Sequence, residues 1–229
     1  MTFTLKVKTM KQLLFMLLGA LTIISSCKKD DDPPEEKPDP KPKATDYFPL
    51  KKGNYWVYEV SEVDTNGVWV KNLHTDSIMV SGTTVLNGDT FYILKGTTFL
   101  HPEYEELVRD SAGSMVTNEG DQQFTAVNFK DTLLQHEVKY NDSLLFAKWS
   151  IRMEEVKGSI TTSAGVFGDV IDRKMTVEQG NMRLVGAHRY PRINHQYYAR
   201  GVGMIYDEYF YFGSLHSIRV ELTKYHIED

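Results

Sequence analysis

Residues 83–94 read TTVLNGDTFYIL, with Asn87-Gly88 set between two runs of β-favouring side chains. An Asn-Gly pair readily supplies both left-handed residues of a type I′ turn, so this stretch predicts a tight antiparallel hairpin. The same grammar runs through the rest of the chain. Residues 54–63, NYWVYEVSEV, are aromatic and β-branched and stop at Asp64-Thr65-Asn66-Gly67. Ala112-Gly113, Lys157-Gly158, Gly180-Asn181 and Gly213-Ser214 punctuate later runs. Trp149, Ile151 and Met153 alternate with Ser150 and Arg152. Ile218, Val220 and Leu222 alternate with Arg219, Glu221 and Thr223. Such period-two alternation gives a strand one buried and one wet face.

Helical periodicity is nearly absent. Only residues 101–110, HPEYEELVRD, read as one or two helical turns. There is no solenoid repeat and no βαβ alternation. The expectation is an all-β, antiparallel domain, built as a strongly curved sheet or partly open barrel. A two-sheet β-sandwich is the alternative, with few or no helices after the leader.

The N-terminal segment is of another kind. Lys6, Lys8 and Lys11 precede a twelve-residue apolar run, residues 13–24, LLFMLLGALTII, which ends at Ser25-Ser26-Cys27. A membrane-spanning helix needs ~20 apolar residues. A basic start, a short apolar run and small residues describe a secretory signal peptide instead. The formal charge of −5 includes +3 from those lysines, leaving about −8 for the mature chain. Nucleic-acid binding runs on lysine and arginine neutralising phosphates, so an acidic mature domain argues against a nucleic-acid partner. Cys27 is the single cysteine, so stability must come from the core rather than from an intramolecular disulfide.

Ile24-Ser25-Ser26-Cys27 resembles the bacterial lipobox. That resemblance implies cleavage before Cys27 and lipid attachment to it, with a thioether-linked diacylglycerol and an amide-linked acyl chain such as palmitate. More than one chain is what stable anchoring requires. Lys28-Lys29-Asp30-Asp31-Asp32 resembles the signal that directs lipoproteins of Bacteroidota to the outer face of the outer membrane. The same residues also suit a solvated charge run in a tether. The expected location is therefore the outer membrane, lipid-anchored and facing the cell exterior, with the periplasmic face as the alternative. Five of the eight prolines fall between Pro33 and Pro42, interleaved with charges. Proline-rich chain extends at ~3.1 Å per residue, so a sixteen-residue spacer reaches about 50 Å. The boundaries read as signal peptide 1–26, lipidated cysteine and tether 27–43, and one β-rich domain 44–229.

Three segments resemble a family of exported Bacteroidota lipoproteins of uncharacterised function. They are YFPLKKGNYWVYEV (47–60), SAGVFGDVI (163–171) and YYARGVGMIYDE (197–208). The family implies a curved antiparallel sheet, similar to the half-barrels of periplasmic lipoprotein carriers, and no established activity. The same motifs make structural sense alone. Pro49 suits the approach to a strand, and Gly201 and Gly203 suggest a bulge or close backbone approach.

Chemical motifs are scarce. Gly201-Val202-Gly203 leads into β-like sequence, and Tyr206 holds the third glycine position of a dinucleotide loop, so no cofactor is expected. His188 and His195 lie seven apart around Pro191, too thin a pattern for a metal site. Glu154-Glu155 are neighbours on opposite strand faces, not the facing pair that glycoside hydrolysis uses. Two features stand out as candidate binding surfaces. Residues 181–206 hold Arg183, His188, Arg189, Arg192, His195 and Arg200 ahead of any acid, suited to anionic groups of a glycan. Residues 206–212 are rich in aromatics, with Tyr209 and Tyr211 on the face of Asp207, and tyrosines suit sugars or another protein. The simpler and preferred readings are a wet strand and loop facing acidic neighbours for the first, and good strand formers for the second. The function expected is binding or interaction, without enzyme activity, toward a glycan, lipid or protein ligand. A carrier enclosing a lipid or other apolar ligand is the alternative, and a polysaccharide hydrolase a third.

Overall fold

The computed structural model describes residues 40–64, 66–182, 190–210 and 216–228. Cys27, the run Lys28, Lys29, Asp30, Asp31 and Asp32, and the tether as far as residue 39 lie outside these residues.

From Lys41 onward the chain forms one compact unit. A single turn of helix, α1 (Ala44–Tyr47), precedes fourteen strands. In chain order these are β1 (Tyr55–Val63), β2 (Trp69–Leu86), β3 (Asp89–Thr97), β4 (Tyr104–Ser111), β5 (Ser114–Thr117), β6 (Gln122–Thr125) and β7 (Leu134–Lys139). They continue as β8 (Leu145–Glu155), β9 (Ile160–Thr162), β10 (Gly165–Phe167), β11 (Val170–Gln179), β12 (Arg192–Ala199), β13 (Gly203–Phe210) and β14 (Ser217–His226). Twelve of them make one antiparallel sheet in the order β6-β5-β4-β3-β2-β1-β14-β13-β12-β11-β8-β7, and β9 and β10 form a separate hairpin. The expected all-β, strongly curved architecture is the one observed. Residues 101–110 do not form helical turns. Glu105 and Glu106 instead lie in β4, paired to Lys95 and Leu94 of β3. Cross-strand pairing with β3 and the burial of Val108 override the helical preference of the two glutamates.

The sheet curls until its distant parts meet. Phe124 on β6, at one end of the order, stacks on Tyr198 of β12 with ring centroids 4.3 Å apart. Arg173 Nε on β11 donates to the Gln123 carbonyl of β6 at 2.5 Å. The result is a barrel closed but for this seam, with β8 and β7 continuing past it. Register shifts in β1 beside Tyr58, in β2 before Gly82 and in β12 at Tyr197/Tyr198 add the local twist that curling needs. The Asn87-Gly88 turn has φ of 53° and 89°, the left-handed pair predicted from its sequence.

The core fills the concave side. Trp56, Tyr58 and Val60 alternate inward on β1 with no exposure, and Tyr58 and Val60 pair with the buried Leu222 and Val220 of β14. Each such side chain contributes ~1.5–3 kcal/mol by leaving water. The outer side carries ion pairs such as Lys71–Glu59, Lys95–Glu105 and Lys174–Glu154. A membrane-crossing barrel shows the opposite pattern, with an apolar band outside.

One end of the barrel is plugged by residues 44–50. Ala44, Tyr47, Phe48 and Leu50 are buried, and Phe48 stacks on Trp56 at 4.5 Å. Trp56 Nε1 donates to the Val202 carbonyl at 2.6 Å. Gly203 lies against the indole, at φ 121°, where an added Cβ would stand 2.6 Å from Nε1. This is the close approach that the Gly-Val-Gly sequence suggests. Arg200 completes the plug, pairing with Asp169 and donating to the Tyr47 hydroxyl at 3.0 Å.

Candidate functional site

Above the plug the barrel is not filled. A chamber of about 220 Å³ lies between Phe48 at its floor and the β3–β4 loop, where Thr98, Leu100 and His101 border it. Its wall is mostly apolar, from Ile78, Leu94, Val108, Met115, Phe124 and Val220. Drug-sized ligands occupy ~300–1,000 Å³, so this chamber suits a smaller or slender molecule.

Strand register sets polar groups into that wall. Tyr58 on β1 lies opposite Asp76 of β2, and both face inward. Glu106 on β4 lies opposite Leu94. Asp207 on β13 lies between Gln196 of β12 and Val220 of β14. Three carboxylates from three strands thus reach one chamber, together with the phenols of Tyr58, Tyr104, Tyr198 and Tyr209. Among the described residues, no lysine or arginine lines it. Arg173 borders a second space of about 280 Å³, which shares Leu100, Gln196, Asp207 and Tyr209 with the chamber.

Each polar group has a defined setting. The Tyr104 hydroxyl donates to Glu106 Oε2 at 2.6 Å, and Gln123 Nε2 donates to Oε1 at 3.1 Å. The Tyr198 hydroxyl donates to Gln196 Oε1 at 2.8 Å, and that of Tyr58 to the Met204 carbonyl at 3.2 Å. Burial pushes all three phenols upward, so they stay neutral donors at ordinary pH. Burial also raises the Asp207 carboxyl to about 6, against the opposing pull of Arg173 and a hydrogen bond from Gln196. Asp207 borders both the chamber and the second space. Asp76, only 5% exposed, is raised by burial too, despite the Phe99 backbone N–H and a His74 Nε2 3.0 Å away.

The residues singled out in the sequence fare differently. Tyr209 does face the same way as Asp207, and that way is inward, so it lines the chamber. The ring stripe on the outer face uses other residues. Tyr197 and Tyr206 lie 5.3 Å apart, His195 stacks on Tyr197, and Arg219 sits between Trp69 and Tyr206. Arg192 stands over the Phe210 ring and donates to the Ser217 hydroxyl at 3.1 Å. Arg200 belongs to the plug, past the far end of β12 and about 26 Å along the strand from Arg192. His195 pairs through Nδ1 with the buried Asp172 at 2.7 Å. These three members of the basic stretch therefore do not converge. Arg183, His188, Arg189, Tyr211 and Phe212 lie outside the described residues.

Glu154 pairs outward with Arg152 and Lys174, as a solvated face would. Among the described residues, no three His, Cys, Asp or Glu side chains are grouped to hold a metal. No helix among them is long and apolar enough to cross a membrane. Sequence reasoning missed Asp76, Glu106 and the three buried tyrosines as site residues. The available signal was their parity, since Tyr58 alternates with Trp56 and Val60 on the apolar side of β1.

No family model matches the chain, and no curated protein matches it. Among solved structures it is similar to a candidate lipoprotein from Parabacteroides distasonis, at 14% identity and a TM-score of 0.44, covering 79% of this chain and 98% of the other. It is also similar to a candidate exported protein with a YmcC-like fold from Bacteroides fragilis. The values there are 12% identity and a TM-score of 0.42, over 79% of this chain and 99% of the other.

Proposed function

We propose that the protein is an exported, lipid-anchored binding domain that holds a small, largely apolar ligand inside its curved sheet. The observation that carries this reading is the unfilled chamber of about 220 Å³ above the plug. Natural cores are packed to near-crystalline density, and an interior space walled by apolar side chains with a few convergent polar groups has the lining that ligand sites have. The anchor is Cys27, by the lipobox that precedes it, and the Lys-Lys-Asp-Asp-Asp run supports presentation on the cell exterior. In this reading the protein works by holding its ligand and turns over no substrate.

Native mass spectrometry of the mature protein, extracted gently from its membrane, tests the chamber. A co-purified small molecule that is lost on denaturation is expected. A ligand-free domain that also takes up nothing from a membrane extract would sink the idea. Protease treatment of intact cells tests the location, and protection of the domain would move it to the periplasmic face.

A further inference from the structure

The chamber's chemistry narrows the ligand class, an inference that rests on the binding reading above. Apolar cavities that hold fatty acids or phosphate-bearing lipids need a cation for the anionic end. Here the polar groups have the other sign. Asp76, Glu106 and Asp207 reach the chamber from β2, β4 and β13, and no lysine or arginine lines it among the described residues.

The rings supply a second, independent observation. Phe48, Tyr58, Tyr104, Phe124, Tyr198 and Tyr209 surround the same space from different elements. Aromatic faces carry negative potential and attract cations, most strongly where water is excluded, and a ring of them is how ammonium groups are recognised. Carboxylates placed among such rings add the full charge that the rings lack. Two of the three carboxylates are already fixed by their neighbours. Glu106 is held by Tyr104 and Gln123, and Asp76 by the Phe99 backbone beside His74.

We propose that the chamber selects an apolar molecule bearing one cationic head, an amine or quaternary ammonium, and rejects the corresponding carboxylate.

Asp207 makes this selection depend on pH. Its carboxyl is faced by Arg173 from β11, Gln196 from β12, Tyr58 from β1, and the backbone N–H and the like-charged carboxylate of Glu208, with Tyr198 nearby and Glu106 across the chamber. With its carboxyl raised to about 6, Asp207 is ionised at pH 7.5 and largely neutral at pH 5. His101 also stands at the mouth, so the effect must be separated from it by mutation.

The experiment uses the purified mature protein and three probes of one chain length: octyltrimethylammonium, octanol and octanoate, followed by titration calorimetry. At pH 7.5 the ammonium is expected to bind at least tenfold more tightly than octanol, with octanoate weakest. Asp207→Asn and Glu106→Gln each lower ammonium affinity five- to tenfold and leave octanol within twofold. Octanol binding reports that the variant's chamber is intact. Between pH 7.5 and 5 the ammonium affinity falls severalfold in the wild type and stays flat in Asp207→Asn. Equal or tighter binding of octanol or octanoate overturns the cation preference and leaves the chamber reading standing. Failure of all three probes overturns both.

Discussion

The two ends of the barrel interior are built from the same residue types to opposite effect. At the plug, every ring and charge named has a partner in contact. Phe48 lies on Trp56, the indole N–H meets the Val202 carbonyl, and Arg200 joins Asp169 to Tyr47. In the chamber, tyrosines and carboxylates border open space, and Asp207 pays for its position with a displaced titration. Stability is concentrated where the chain enters the sheet. The other end carries groups that a fold optimised only for stability would replace. Sites that bind commonly show this exchange.

The comparison breaks most readily at the plug. Gly203→Val sets a branched side chain where even a Cβ lies 2.6 Å from the indole, at a φ that disfavours it. A loss of more than ~3 kcal/mol is expected in denaturant unfolding. A change below ~1 kcal/mol would show that the plug adapts and is not the rigid end.

Next in size is Asp207→Asn. A carboxyl raised in the folded state binds protons more tightly there than in the unfolded chain. Wild-type stability therefore falls as pH rises from about 4 through 6. The asparagine variant should match the wild type at pH 4 and exceed it by about 1–3 kcal/mol at pH 8, read from paired thermal or urea melts. Equal stability at both pH values would remove the claim that this carboxylate is held at a cost.

The smallest effect belongs to the exposed side of the plug. Arg200 is 42% exposed, so solvent screens its ion pairs. Arg200→Ala should cost about 1 kcal/mol, weakened further by salt, with probe binding in the chamber unchanged. A drop in probe affinity equal to that of Asp207→Asn would show that the two ends are coupled.

Much of the fold was legible because it is local. Asn87-Gly88 dictates its own turn, and Ile218, Val220 and Leu222 declare their buried side by alternation alone. What was not legible is closure. Nothing in the stretch Gln123-Phe124 says that it will meet Arg173 and Tyr198, which come fifty and seventy-four residues later. Residues 101–110 misled for the same reason, since partners on β3 decide their conformation. The chamber is harder still. Tyr58 and Asp76 are ordinary residues until register sets them opposite each other, and Tyr209 stood out for its ring without showing which side of the sheet it would take. Parity relates residues to one another, and only the curl of the sheet says which side is the inside.

The seam has a mechanical consequence. Elsewhere around the barrel, neighbouring strands are joined by ladders of backbone hydrogen bonds, and parting them means breaking a whole ladder. Between β6 and the β11–β12 pair, the described contacts are a guanidinium on a carbonyl and two stacked rings. Parting that joint leaves the secondary structure untouched and disturbs the wall that Gln123, Phe124 and Tyr198 give the chamber. The barrel therefore has a fixed circumference along the nine joints from β6 to β11 and an adjustable one at the tenth, much like a buckle set directly against the pocket it tightens.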